Sequence, residues 1–244
     1  MSAQFGSDIV PETIIAPLSA GHSLEVDVYT APMVTPGAQR VAVLCHPWSW
    51  LGGCKDDPVL ESIAITLNTV FNMHVFIPNA RSVGNSTGRA SFSGKSEAAD
   101  LEELTQWCIN KIENTNCLAI VGYSHGSLLA SCHPVLSGPI QTYHVLLSNR
   151  LSQLVHDPRA RILILFGDKD QFTTVDSYQS WAENLQSDRN GSTLGTAAPS
   201  GVTEIKMIPG ADHFWRGRFN RQMREAISSW LEKYEPTQRS TPTS

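Results

Sequence analysis

Leu118-Ala119-Ile120-Val121-Gly122-Tyr123-Ser124-His125-Gly126 is the stretch on which the reading of this 244-residue chain turns. Four apolar residues predict a short buried strand, two glycines then break it, and the pattern from Ser127 to His133 predicts a helix. A serine between two glycines, in the order G-x-S-x-G, is at home on a sharp strand-to-helix turn that lifts its hydroxyl clear of the sheet. Small residues are required there because neighbouring backbone comes close. The start of the following helix also offers unsatisfied N–H groups to a developing negative charge. Alone, the pentapeptide is a common turn. Its setting between a strand and a helix is what makes it informative.

Outward from this turn, apolar runs alternate with helical patterns, which predicts βα units around a mostly parallel sheet. Ile14–Leu18 and Leu24–Tyr29 read as two strands joined by a hairpin through Ala20-Gly21-His22. Val41–His46, His74–Ile77, Thr142–Leu147, Arg161–Phe166 and Thr203–Ile208 read as further strands. Helices are expected from Pro58 to about Asn68, over Glu97–Ile112, from Thr174 to about Leu185 and over Arg218–Tyr234. Asn79–Gly94 reads as a polar loop and Ser187–Gly201 as a surface insertion. One domain is expected over 1–234, with a disordered tail over 235–244.

A serine hydroxyl needs a base, and the base needs a group that orients it. Two later strand ends supply candidates. Gly167-Asp168-Lys169-Asp170 follows the Arg161–Phe166 strand, and Gly210-Ala211-Asp212-His213-Phe214 follows the Thr203–Ile208 strand. In a parallel sheet these loops open on one edge with Ser124, and the chain order Ser, Asp, His suits a triad. Asp168 and Asp170 both remain candidates for the acid on position alone.

Composition narrows the classes of function. The net charge of −5, from 18 basic and 23 acidic residues without a basic block, argues against a nucleic-acid groove. No apolar run approaches the roughly 20 residues that cross a bilayer, and the first ten residues carry no basic and apolar leader pattern. The five cysteines form no CxxC pair, which predicts reduced thiols and a cytoplasmic setting. There is no HExxH and no Cys/His cluster, so neither metal nor other cofactor is expected. Gly94-Lys95-Ser96 resembles the end of a P-loop, but Arg89 stands where that pattern needs glycine.

These three strand-end motifs together make the chain resemble a small member of the α/β-hydrolase superfamily over roughly residues 12–234. It looks like the compact branch near dienelactone hydrolases and prolyl-oligopeptidase-like esterases. The resemblance implies an α/β fold with a mostly parallel sheet of about eight strands, helices on both faces and no large cap domain. It places the acid at Asp170 through a G-x-x-D pattern and the base at His213 through G-x-x-H, with Ser124 as nucleophile. It also implies an oxyanion hole from the backbone N–H groups of His125 and Trp48, the latter in His46-Pro47-Trp48 after the Val41–His46 strand. Trp48, Phe214 and His125 are then expected to line the substrate site, with Trp50 and Trp215 as weaker candidates. Arg81–Gly88 is similar to the family's R-G-x-G-x-S-x-G stretch, but carries Ser82 where that stretch has glycine.

The activity implied is cleavage of a carboxylic ester or related acyl compound, with a small acyl molecule as partner. Triads on this fold also serve lyases, isomerases, acyltransferases and peptidases, and a scaffold of this kind can bind without catalysis. Sequence does not choose the substrate or the oligomeric state.

Overall fold

The structure is a computed structural model, and it describes residues 9–33, 37–147, 154, 157–173 and 201–234. The helix expected over 174–185, most of the 187–201 insertion and the tail at 235–244 lie outside the described residues.

Eight strands form one sheet: β1 (Glu12–Pro17), β2 (Ser23–Tyr29), β3 (Gln39–Cys45), β4 (His74–Pro78), β5 (Thr115–Tyr123), β6 (Gln141–Leu147), β7 (Arg161–Gly167) and β8 (Val202–Ile208). Their spatial order is β1-β2-β4-β3-β5-β6-β7-β8. The first two strands form the expected hairpin, and β2 lies antiparallel against β4. From β4 to β8 every pairing is parallel. The chain leaves β3 outward to β4, then returns across it to β5. This reversal opens a crevice between the carboxyl ends of β3 and β5, where ligands bind in sheets of this kind. The loop containing Trp48 and the turn containing Ser124 both begin there.

Among the described residues four helices cover the sheet: α1 (Pro58–Phe71), α2 (Lys95–Lys111), α3 (His125–Cys132) and α4 (Arg218–Tyr234). Side chains alternate across a strand, and β3 shows the consequence. Ala42 and Leu44 join a cluster with Leu60, Ile63 and Leu67 of α1 and Ile227 and Leu231 of α4. Val41, Val43 and Cys45 join the opposite cluster, with Leu101 and Leu104 of α2 and Leu129 and Ala130 of α3. The sheet is therefore buried on both faces, which is why β3, β5 and β7 read as unbroken apolar runs.

The Arg81–Gly88 loop is held by polar bonds rather than apolar packing. Ser86 Oγ donates to Asn79 O at 2.9 Å and accepts from Glu25 N–H at 2.9 Å. The Arg81 guanidinium grips buried Asp100 through two bonds, of 2.5 and 2.6 Å. Ser82 takes the left-handed backbone (φ 61°) that explains a glycine preference, and its Oγ donates to Gly88 O at 2.7 Å.

Behind the site, His133 and His144 are buried 6.1 Å apart, with His144 Nε2–H donating to His133 O. Burial pushes His133 down to about 4 and His144 to about 3. In the unfolded chain both take up protons below about pH 6.5, whereas the folded protein keeps them neutral. Stability is therefore complete above about pH 6.5 and falls as pH drops toward 4, by on the order of 3 kcal/mol from His133 alone. Thermal melts across this range should show that slope in the parent protein and a shallower one in His144→Gln.

Candidate active site

Ser124 sits between β5 and α3 with φ 55° and ψ −122°, a strained conformation for a residue with a side chain. The flanking glycines make the turn sterically possible. A Cβ on Gly122 would lie 2.4 Å from Gly126 O, and one on Gly126 would lie 2.2 Å from Cys45 O at the end of β3. Alanine at either position would collide with backbone. Ser127 closes the first turn of α3, its N–H donating to Ser124 O at 2.9 Å and its Oγ to Gly122 O at 2.8 Å.

The loops after β7 and β8 are pressed together, because a Cβ on Gly167 would meet Ala211 O at 2.1 Å. Within this contact the two aspartates separate. Asp168 Oδ1 accepts from Gly210 N–H at 2.5 Å and ties the loops to each other. Asp170 Oδ2 instead accepts from His213 Nδ1–H at 2.8 Å, while its Oδ1 accepts from the N–H groups of Phe172 and Thr173 at 2.7 and 3.1 Å. Burial pushes the Asp170 carboxyl up, but the His213 bond and these two N–H groups outweigh it and hold it below its ordinary value. An ionised carboxylate only accepts, so Nδ1 carries the imidazole proton and Nε2 presents its lone pair. Nε2 lies 2.9 Å from Ser124 Oγ. The backbone of His213 is fixed from both sides: its N–H donates to Gln171 Oε1 at 3.1 Å, and Tyr123 Oη–H donates to its carbonyl at 2.9 Å.

The opposite wall is the loop after β3. His46 is buried, which lowers its pKa; its Nε2 accepts from Ala80 N–H at 2.9 Å and its Nδ1–H donates to Pro47 O at 2.6 Å. It fastens the loop to the end of β4. Trp48 O accepts from Leu51 N–H and Gly53 N–H, curling 48–53 into a short 3-10 turn. The Trp48 ring stacks on His125 at 5.9 Å and meets Phe92 edge-on at 5.8 Å.

Between these walls lies a cleft of about 760 Å³, within the range of small-molecule sites. Ser124, His213, His125, Trp48 and Phe214 all line it. Trp50 and Trp215 are not among the residues that line it: Trp50 stands 61% exposed to solvent, and Trp215 is 3% exposed within the core. Sequence reading did not single out Leu51, Asp57, Phe92, Leu128 or Phe172, which also line the cleft. Phe172 was the most accessible of these to inference, because it stands two residues beyond Asp170, and its ring lies 4.5 Å from His213. Among the described residues no group of three or more His, Cys, Asp or Glu is placed to hold a metal ion. No described helix is long and apolar enough to cross a membrane.

No protein-family model matches the chain, and a search of curated proteins finds no significant match. Solved structures do match. A protein of unknown function from Agrobacterium tumefaciens, considered an α/β-hydrolase candidate, superposes with TM-score 0.73 at 18% identity, over 91% of this chain and 96% of its own. A lid-less α/β serine hydrolase from Xanthomonas campestris superposes with TM-score 0.71 at 20% identity, over 97% and 99% of the two chains. The fold is that of the α/β-hydrolases. An esterase from Pyrococcus furiosus shares it with TM-score 0.66 at 14% identity, over 91% of this chain and 90% of its own. Among the described residues no cap domain interrupts the eight-stranded sheet.

Proposed function

We propose that this protein is a serine hydrolase that cleaves a carboxylic ester or a related acyl compound through an acyl-enzyme. The observation that carries this reading is the row Asp170–His213–Ser124, with its links of 2.8 and 2.9 Å and with Ser124 and His213 on the cleft lining. His213 Nε2 takes the proton of Ser124 as Oγ attacks the acyl carbon, and Asp170 keeps the tautomer and stabilises the imidazolium. The carbonyl oxygen becomes negative and is received by the backbone N–H groups of His125 and Trp48, each worth about 2.7–4 kcal/mol to the transition state. Nε2–H then passes its proton to the leaving oxygen, and the bond from acyl carbon to leaving group breaks. Water, deprotonated by His213, attacks the acyl-enzyme and releases the acid with Ser124 restored.

The apolar lining from Trp48, Leu51, Phe92, Leu128 and Phe172 supports an organic acyl group as occupant. Likeness to an esterase and to a lid-less serine hydrolase points the same way. Turnover of p-nitrophenyl butyrate in ¹⁸O-water is the test. One solvent oxygen is expected in the butyrate. Butyrate transferred to another acceptor, with no label, would instead mark an acyltransferase.

A further inference from the structure

The acyl wall of the cleft is apolar, but its other end is not. Asp57 is the one carboxylate on the described cleft lining. It caps α1 through Oδ1 alone, which accepts from Val59 N–H at 2.8 Å and Leu60 N–H at 3.4 Å. A recess of about 400 Å³ adjoins the cleft, shares Asp57, Tyr123 and Phe214 with it as lining, and extends to Arg216 and Asn220. Tyr123 and Phe214 both stand against the His213 ring, each 5.7 Å away between centroids. The recess is therefore on the side of the base. A leaving oxygen must meet Nε2–H, so the leaving group emerges on this side.

The charges facing Tyr123 are Asp57, Asp212 and Asp170 against the single guanidinium of Arg216. Two of the three carboxylates are matched already. Asp170 holds His213, and Asp212 Oδ2 stands 3.5 Å from Arg216 Nη1. Arg216 in turn lies over the outer part of Phe214, 4.5 Å from its centroid. Asp57 has no Lys or Arg bonded to it among the described residues; burial pushes its carboxyl up, and its charge is met only by the two N–H groups that open α1 and by nearby His213, which leaves it the one carboxylate at an aromatic-framed recess able to take a cationic partner.

We infer that this recess is a leaving-group subsite for an alcohol bearing a cationic centre, such as an amino alcohol, with Asp57 as the specificity-determining residue. The inference rests on the hydrolase reading above. Two esters of one acid separate charge from shape: butyrylcholine and its uncharged isostere 3,3-dimethylbutyl butyrate. The full-length protein should favour the choline ester in kcat/KM by about tenfold at low ionic strength, and added salt should shrink that ratio. Asp57→Asn keeps a good helix cap, so a thermal melt should show the fold retained while the ratio falls toward one. A merely structural Asp57 would leave the ratio where it was. A ratio at or below one in the parent protein, or one that survives Asp57→Asn, overturns the subsite while leaving the hydrolase standing. Hydrolysis of neither ester, with Ser124 inert to an acylating probe, overturns both.

Discussion

Ser124→Ala is expected to lower kcat for ester hydrolysis by on the order of 10⁵-fold while leaving the thermal melt nearly unchanged. The size follows from what the hydroxyl does. Without Oγ no acyl-enzyme can form, so the only route left is direct attack by water in a cleft that still offers the N–H donors at the start of α3. The fold should survive because the strained turn is held by backbone. Ser127 bonds to Ser124 O and Gly122 O, and the packing of Gly126 against Cys45 O does not involve Oγ. Steady-state rates on p-nitrophenyl butyrate, beside a melt, measure both. Loss of less than tenfold would show that another group attacks the substrate.

Asp170→Asn should cost about 10⁴-fold in kcat, as expected when a triad loses the group that fixes the tautomer. The variant is nearly isosteric, so its effect is chemical. An amide facing Nδ1 can donate its own N–H, which puts the imidazole proton on Nε2 and removes the lone pair that accepts from Ser124. Asp168→Asn is the matched comparison. Its carboxyl accepts from Gly210 N–H, a bond that an asparagine oxygen also accepts, so kcat should stay within about threefold and the change should appear as a small loss of stability. Equal losses in the two variants would place the acid elsewhere.

The separation of these two aspartates also shows how far sequence could go. Position at a strand end selected both, and the resemblance to a family pattern favoured Asp170. Only the loop geometry explains the difference, since Asp170 turns back to His213 while Asp168 reaches across to Gly210. Strands β3, β5 and β7 were legible because they are buried on both faces and their apolar runs have no polar interruption, whereas His144 stands inside β6. Their ends were less so. Strand β5 runs from Thr115 to Tyr123 rather than Leu118 to Val121, because backbone pairing with β3 continues through residues whose side chains signal nothing. Helix α1 continues to Phe71, three residues past Asn68, where the buried amide of Asn68 bonds to Thr30 O and Met73 O instead of ending the helix.

Among the cleft residues, Phe92 sits in a loop read as polar, and it reaches the site only because that loop folds against Trp48. Asp57 drew no notice in the sequence, where only Pro58 marked the start of the helix, and in the structure it caps α1. Sequence spacing carries no information about which face of a cap is left open. Ser82 marks the converse case, in which a departure from a family pattern is absorbed locally by left-handed backbone and one hydroxyl bond.

On the proposed function Ser124 is activated by His213 at an accessible cleft, which covalent labelling reads directly. The folded protein would be treated with a fluorophosphonate, digested and analysed by mass spectrometry, with Ser124→Ala alongside. A single phosphonylated peptide containing Ser124 is expected, with no adduct in the variant. An unmodified Ser124 in the folded protein, or an adduct that persists in Ser124→Ala, would contradict it.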